Sequence, residues 1–337
     1  MKISEMTADE IRNYCYALKE ENDNYIWSNR ISTRTFPDAW DAIFEEIYLC
    51  GTRIETPKHQ DGITILGWDA DINVCVLEPS AEPWFHKLSI TDTPLECESY
   101  RLEVIYGIHD EWIGHGWDYT YHERLRKHKS FDGKTIDWVT LNLERIVDDY
   151  KKKGRMSGRD YAGFTGYPTD NELDDKPCLQ HIQWRITESN SQFYLHQFVY
   201  FRSRDFFKAW HENAYALSDL QRLMAKWLSE RLEIEINVGS YYDHSSSLHI
   251  YGLYENENEL ITNAKNRVEK SLAGESDLTF TTEQFMGSEN DIKQYRRIIA
   301  TRLDAMAKGH GTKLPEVKLT ELGYDLDTFP YPAEWDE

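Results

Sequence analysis

A cysteine follows a proline in DDKPCLQHIQW, residues 174–184, just before a run that alternates like a strand. Further on, FRSRDFFKAWHEN (201–213) supplies Arg202, Ser203, Asp205 and Asn213, and SSSLHIY (245–251) supplies His249 and Tyr251. Upstream, KKKGRMSGRDY (151–161) is a basic cluster that holds Arg155 and Arg159. These types include a nucleophile, an anion site and several neutral hydrogen-bonding groups. A thiolate adds to electron-poor carbon, and nearby cations favour its formation. A guanidinium matches phosphate oxygens two at a time. A carboxamide reads the edge of a base by donating and accepting at once. Each residue also has a plainer reading: inert buried thiol, solvated charge, helix cap, half-buried strand pair.

Composition narrows what these residues can serve. The chain has 337 residues, 40% hydrophobic and 13% aromatic, with 11 Trp and 21 Tyr, which fits a folded rather than a disordered protein. A formal charge of −21 argues against nucleic-acid binding, which needs a basic face, and leaves room for a small anion where arginines converge. No apolar run reaches membrane-spanning length, and the first residues carry no signal-peptide core. Cysteines stand at 15, 50, 75, 97 and 178 without CxxC spacing. That pattern fits reduced thiols in a cytoplasmic protein and argues against zinc. GxGxxG, GxxxxGK[ST] and GxSxG are absent.

The elements that must hold the site follow from periodicity. TADEIRNYCYALKEEN reads as a helix capped by Thr7, and DAWDAIFEEIYLCG as a second helix closed by Gly51. GITILGWDADINVCVLEP alternates and reads as paired strands. SYRLEVIYG and WVTLNLERIVDDYKKKG are helical. HIQWRITESNSQFYLHQFVYFRS is a hairpin with its turn in ESNSQ. The long helical pattern of HENAYALSDLQRLMAKWLSERLEI follows, then a short strand SSLHIYG and two further helices before an acidic tail. Helices and strands without a βαβ rhythm predict an α+β fold, one domain with a mixed sheet packed against helices. Residues 1–45 are expected to form an N-terminal helical extension, 46–260 the catalytic core, and 261–337 C-terminal helices and a tail of the same domain.

Taken in order, PC at 177–178, RSRD at 202–205 with Asn213, and LHIY at 248–251 resemble the thymidylate synthase superfamily. YTYHERL (119–125) and DEW (110–112) look like family segments too. The resemblance spans roughly residues 45–255 and is closest to the archaeal-type and nucleotide-hydroxymethylase branches. It implies one-carbon transfer from 5,10-methylenetetrahydrofolate to C5 of a pyrimidine nucleoside monophosphate, in a homodimer joined through the sheet. Cys178 would add to C6. Arg202 and Ser203 would bind the phosphate. Arg159, with Arg155 compensating for the glycine at 158, resembles the arginines that reach a neighbour's phosphate. Arg53 or Lys58 would serve a phosphate-binding loop.

Asn213 can read uracil, or cytosine with its amide reversed. The resemblance associates asparagine here with uracil and aspartate with deoxycytidylate. His249 and Tyr251 resemble the pair that binds the sugar 3′-hydroxyl, and Asp205 a group orienting base or folate. Tyr121 matches a tyrosine near C5. Glu103, with Glu98 as an alternative, is the candidate carboxylate for proton transfers. Trp112, with Trp117 nearby, would form the wall against the folate.

Two departures bear on the product. AWHEN (209–213) replaces the GLPFN of bacterial synthases, and PAEWDE replaces their small apolar C-terminal end. The polar pair His211–Glu212 beside Asn213 favours water over hydride at the exocyclic methylene. A 5-hydroxymethyl nucleotide is therefore the expected product. Thymidylate with dihydrofolate is the alternative, and a non-catalytic nucleotide-binding regulator the second.

Overall fold

The computed structural model describes residues 26–55, 65–89, 93–156, 158–173, 175–254, 259–275 and 277–310, with Asn13. The expected helix over residues 7–22, Lys58 and the acidic tail lie outside the described residues.

One mixed eight-stranded sheet carries the fold. Its strands are β1 (Trp27–Thr33), β2 (Thr52–Glu55), β3 (Leu66–Val76), β4 (Tyr161–Phe164), β5 (Leu179–Ser189), β6 (Gln192–Phe201), β7 (Arg204–Asp205) and β8 (Ile236–Ile250). The order across the sheet is β1-β3-β8-β6-β5-β4, with β2 beside β3 and β7 beside β8 at one end. β1 runs parallel to β3, and β6 and β7 parallel to β8; the other pairings are antiparallel. The main helices are α1 (Phe36–Cys50), α2 (Pro94–Tyr106), α3 (Tyr121–Arg126), α4 (Trp138–Lys153), α5 (His211–Leu232), α6 (Leu260–Leu272) and α7 (Glu289–His310). This is the α+β architecture that the interspersed periodicities predict.

Local chemistry explains the boundaries. Thr35 and Asp38 form a capping box at the start of α1, with Pro37 in the first turn. Thr93 caps α2, Pro94 opens it, and Gly107 ends it in the left-handed region at φ 66°. Asp137 caps α4, and Lys151, Lys152 and Lys153 sit in its last turn, where cations face the carbonyl end. The β5–β6 hairpin turns at Asn190 and Ser191, both with positive φ (51° and 61°), as a two-residue loop requires. One face of the sheet buries Ala70, Ile72, Val74, Leu195, Val199 and Tyr241 against aromatic-rich helices, among them Trp40, Phe44 and Trp210. Alternate residues on the other face, including Phe198, Tyr200 and Tyr242, stay half-exposed.

Three expectations change. GITILGWDADINVCVLEP is, over residues 66–76, one strand flanked by β1 and β8 rather than a pair of strands. Residues 1–45 are not a purely helical extension: Trp27 and Ile31 are buried, and β1 joins the sheet. The first five residues of SSLHIYG are the end of the 15-residue β8. Its pairing with β3 shifts between Ser245 and Leu248, and the alternating buried positions 241, 243 and 245 give way to a buried run at 248, 249 and 250. A bulge resets the alternation there, and this hid the strand's length from a period-2 reading.

Candidate active site

Cys178 stands at the mouth of the β5–β6 hairpin. Antiparallel pairing sets Leu179 opposite Phe201, and the Arg202 amide donates to the Cys178 carbonyl at 2.9 Å. The Arg202 side chain turns back over the same turn: Nε donates to the Pro177 carbonyl at 3.0 Å and Nη2 to that of Lys176 at 2.7 Å. Arg202 is exposed, while Cys178 and Ser203 are half-buried. Burial pushes the Cys178 thiol up, against the pull of Arg202 and, more weakly, Arg204. The expected activation by Arg202 is therefore present but smaller than the cost of desolvation.

Tyrosines line the space beside the thiol. Tyr121 opens α3, capped by Thr120, and its hydroxyl accepts from the Leu179 amide at 3.3 Å. Burial and then the charge of Cys178 push its phenol above the usual range. The Tyr119 ring lies 5.7 Å from that of Tyr121, and its phenol is raised chiefly by burial, then by Tyr121 and Cys178. Just past the end of β8, the Tyr251 phenol is raised by burial, then by Asp205 and Cys178. These phenols are neutral donors near pH 7, suited to a base or sugar rather than to holding charge.

Asn213 lies in the first turn of α5, not at its cap, and its Nδ2 donates to the Tyr100 hydroxyl. The Tyr100 phenol is raised well above its usual range, chiefly by burial, with Tyr121, Glu103 and Tyr119 adding to it. Tyr100 thus ties the Asn213 amide to the tyrosines beside the thiol. Glu103, one turn further along α2, is buried, with Oε2 2.6 Å from His109 Nδ1. Glu98 is excluded as its substitute. It is fully buried between Arg101 (Nη2–Oε1 2.7 Å) and Arg296 (Nε–Oε1 2.7 Å), where it docks α7 onto α2.

Asp205 caps the turn ahead of α5. Oδ1 accepts from the amides of Phe207 (3.0 Å) and Lys208 (3.2 Å), and Oδ2 accepts from the Tyr254 hydroxyl. Both oxygens are thus used within the protein, and an orienting role toward base or folate has no observation behind it. His249 is buried, in register with Asp205 on one side and Asp69 on the other. Its ring lies 4.7 Å from that of Tyr251.

Other expected residues lie elsewhere. Trp112 is fully buried among Leu102, Ile108, Ile299 and Leu303, so it has no surface to offer a folate; Trp117 keeps some exposure. Packing of α7, remote in sequence, makes this difference. His211 is buried against the rings of Trp84 and Phe85, and burial pushes it down to about 3. It is a neutral core residue, not a polar wall for water. Arg53, on β2, lies 3.7 Å over the Trp68 ring of β3, and its Nη2 donates to the Leu66 carbonyl at 3.1 Å. Arg155 and Arg159 are exposed in the loop between α4 and β4, with no described hydrogen bond to the Cys178 group.

Four residues at the site went unread in the sequence. Tyr100 is one helical turn from Glu103, and Tyr119 alternates with Tyr121, so periodicity could have found both. Arg204 lies 3.8 Å over the Phe201 ring, paired to Asp243 and donating to Ser245 Oγ at 2.7 Å. His109 carries no local signal. Among the described residues no group of three or more His, Cys, Asp or Glu is placed to hold a metal, none of the four described cysteines forms a disulfide, and no helix is long and apolar enough to cross a membrane.

The fold is that of a thymidylate synthase. It superposes on thermostable thymidylate synthase A from Bacillus subtilis with a TM-score of 0.50 at 19% identity, covering 73% of this chain and 86% of that one. By sequence the chain is 25% identical over 227 residues to a Methanococcoides burtonii protein named "Putative thymidylate synthase", covering 66% of this chain and 88% of the relative. A Methanocaldococcus jannaschii protein of the same name is 28% identical over 160 residues, 46% of this chain and 62% of that protein. No protein-family model matches. The chain is similar in sequence to archaeal proteins named "Putative thymidylate synthase" and shares the fold of a thymidylate synthase.

Proposed function

We propose that this protein transfers one carbon from 5,10-methylenetetrahydrofolate to C5 of a pyrimidine nucleoside monophosphate, releasing a 5-hydroxymethyl nucleotide and tetrahydrofolate. The observation that carries the reading is the set around one half-buried thiol: Cys178 with Arg202 across the hairpin, Tyr121 on the next amide, and Tyr251 beside it. The Cys178 thiolate adds to C6 and makes C5 nucleophilic. Arg202 and Ser203 take the phosphate, His249 and Tyr251 the sugar, and Asn213 with Tyr100 the base edge. Glu103 serves proton transfers, and Trp117 replaces Trp112 as the ring beside the folate.

The hydroxymethyl outcome rests on the wall of the site. Phenols of Tyr100, Tyr119 and Tyr121 and the Glu103 carboxylate surround the base end and can hold a water there. A synthase making thymidylate by hydride transfer remains the second reading, on the family names alone. A non-catalytic regulator is the third, and the complete Cys178–Arg202–Asn213 set speaks against it.

A two-fold dimer through the half-exposed sheet face completes the proposal. That face carries Phe198 stacked on Tyr242 at 4.3 Å and a concavity of about 280 Å³ lined by Cys75, Tyr200 and His244. Arg155 and Arg159 then face the partner's phosphate site. Incubation with methylenetetrahydrofolate and each pyrimidine monophosphate in turn, with products identified by mass, tests the reaction. Failure of every nucleotide to drive folate turnover overturns it.

A further inference from the structure

We propose that His109 is a positioning residue for Glu103, holding its carboxylate as the base that takes a proton from water in the hydroxymethyl-forming step; this rests on the reaction proposed above. The backbone brings the two together. Gly107 ends α2 in the left-handed region, its amide donating to the Glu103 carbonyl at 3.0 Å, and the Asp110 amide donates back to the Gly107 carbonyl at 3.0 Å. A Cβ at Gly107 would stand 2.2 Å from His122 Nδ1, so the tight reversal needs glycine there.

The reversal carries His109 back over the helix end, with Nδ1 2.6 Å from Glu103 Oε2. Its ring stacks on Trp117 at 4.8 Å and 26°, which fixes the imidazole plane. Both side chains are largely buried, 13% exposed for His109 and 8% for Glu103. An ionised carboxylate only accepts, so Nδ1 carries the proton and donates. That bond occupies one Glu103 oxygen and leaves the other for water.

Glu103 is placed for this task, because Tyr100 sits one turn earlier on α2 and bonds Asn213, the base reader. The next acid along the chain is already paired. Asp110 is held by His122 (2.8 Å), Lys127 (3.0 Å) and the Thr120 hydroxyl (2.6 Å). In the step itself, a water O–H bond breaks and its proton passes to Glu103. The water oxygen bonds to the exocyclic methylene carbon. The methylene π pair moves into the ring as a C4 enolate, which then expels the Cys178 thiolate from C6. No oxidant or reductant is consumed.

Two variants separate positioning from bulk. His109→Ala removes the donor; His109→Gln supplies a side-chain N–H without a titrating ring. Crystal structures of both, free of substrate, should show the Glu103 carboxylate displaced in H109A and retained in H109Q. In the folate assay, H109A should lower kcat roughly 10- to 100-fold while KM changes less than about threefold, as expected for a misplaced group. H109Q should return kcat to within about threefold of wild type, since the hydrogen bond is restored. An unmoved Glu103 in H109A, or wild-type kcat in that variant, overturns the proposal. A wild-type protein that turns over no pyrimidine nucleotide overturns the reaction reading instead, and the Glu103 position in the H109A crystal then decides the pair by itself.

Discussion

The Arg202 amide donates to the Cys178 carbonyl at 2.9 Å, so the proposed nucleophile and the proposed phosphate ligand face each other across the mouth of one hairpin. A strand register, rather than a loop, sets their separation.

Substitution of Cys178 tests the covalent step. Cys178→Ser should lower turnover by several orders of magnitude while nucleotide still binds, because the serine hydroxyl is a far weaker nucleophile. A 5-fluoropyrimidine nucleotide with methylenetetrahydrofolate should leave a stable adduct on the wild type, read by intact mass, and none on C178S. Full activity in C178S would overturn the covalent step.

Arg202→Lys is predicted to be non-conservative. Nε and Nη2 together hold the carbonyls of Pro177 and Lys176, and a single ammonium cannot span both. Nucleotide affinity should fall roughly tenfold or more, the loss of about 1.4 kcal/mol, by isothermal calorimetry. An unchanged affinity would remove Arg202 from the phosphate site.

Acid should loosen the segment that presents Tyr121. Burial alone would raise the Asp110 carboxyl, but the hydrogen bond and charge of His122, with Thr120 and Lys127, hold it at about 2. The folded value lies below the unfolded one near 3.8, so the stabilisation is complete above about pH 4 and is lost as pH falls toward 2. It amounts to roughly 2 kcal/mol. Asp110→Asn should flatten the pH dependence of stability in that window, measured by urea unfolding. The same slope in both proteins would contradict this account of Asp110.

Dimer exchange tests the two-site arrangement. Cys178→Ala and Arg159→Ala, each inactive alone, should regain some activity when mixed, if Arg159 serves the partner's phosphate. A fully active protein that sediments as a monomer would rule this out.

How much of this was legible before the structure depends on where each residue's role is decided. Cys178, Arg202, Asn213, His249 and Tyr251 could be proposed from type and order along the chain; the structure sets Arg202 across the hairpin mouth from Cys178 and brings Tyr251 within electrostatic reach of the thiol. Local periodicity also located α1, α2, α4, α5 and the β5–β6 turn. Trp112 misled because α7 covers it, and that packing depends on Arg296 reaching Glu98 from far along the chain. Asp205 and His211 misled for a related reason: a charged or polar letter does not reveal whether its partners are substrate or protein. Asp205 is taken by a cap and by Tyr254, and His211 by the rings of Trp84 and Phe85. The Glu103–His109 pair depends on a left-handed glycine turn, which spacing alone does not disclose.

The most direct measurement is the mass of the nucleotide product formed with methylenetetrahydrofolate, taken together with near-ultraviolet absorbance. Hydride transfer oxidises the folate to dihydrofolate and raises that absorbance; water addition does not. The account predicts nucleotide-dependent loss of methylenetetrahydrofolate, no dihydrofolate signal, and a nucleotide heavier by a hydroxymethyl increment. A methylated nucleotide with stoichiometric dihydrofolate would contradict it and identify the reaction as thymidylate synthesis.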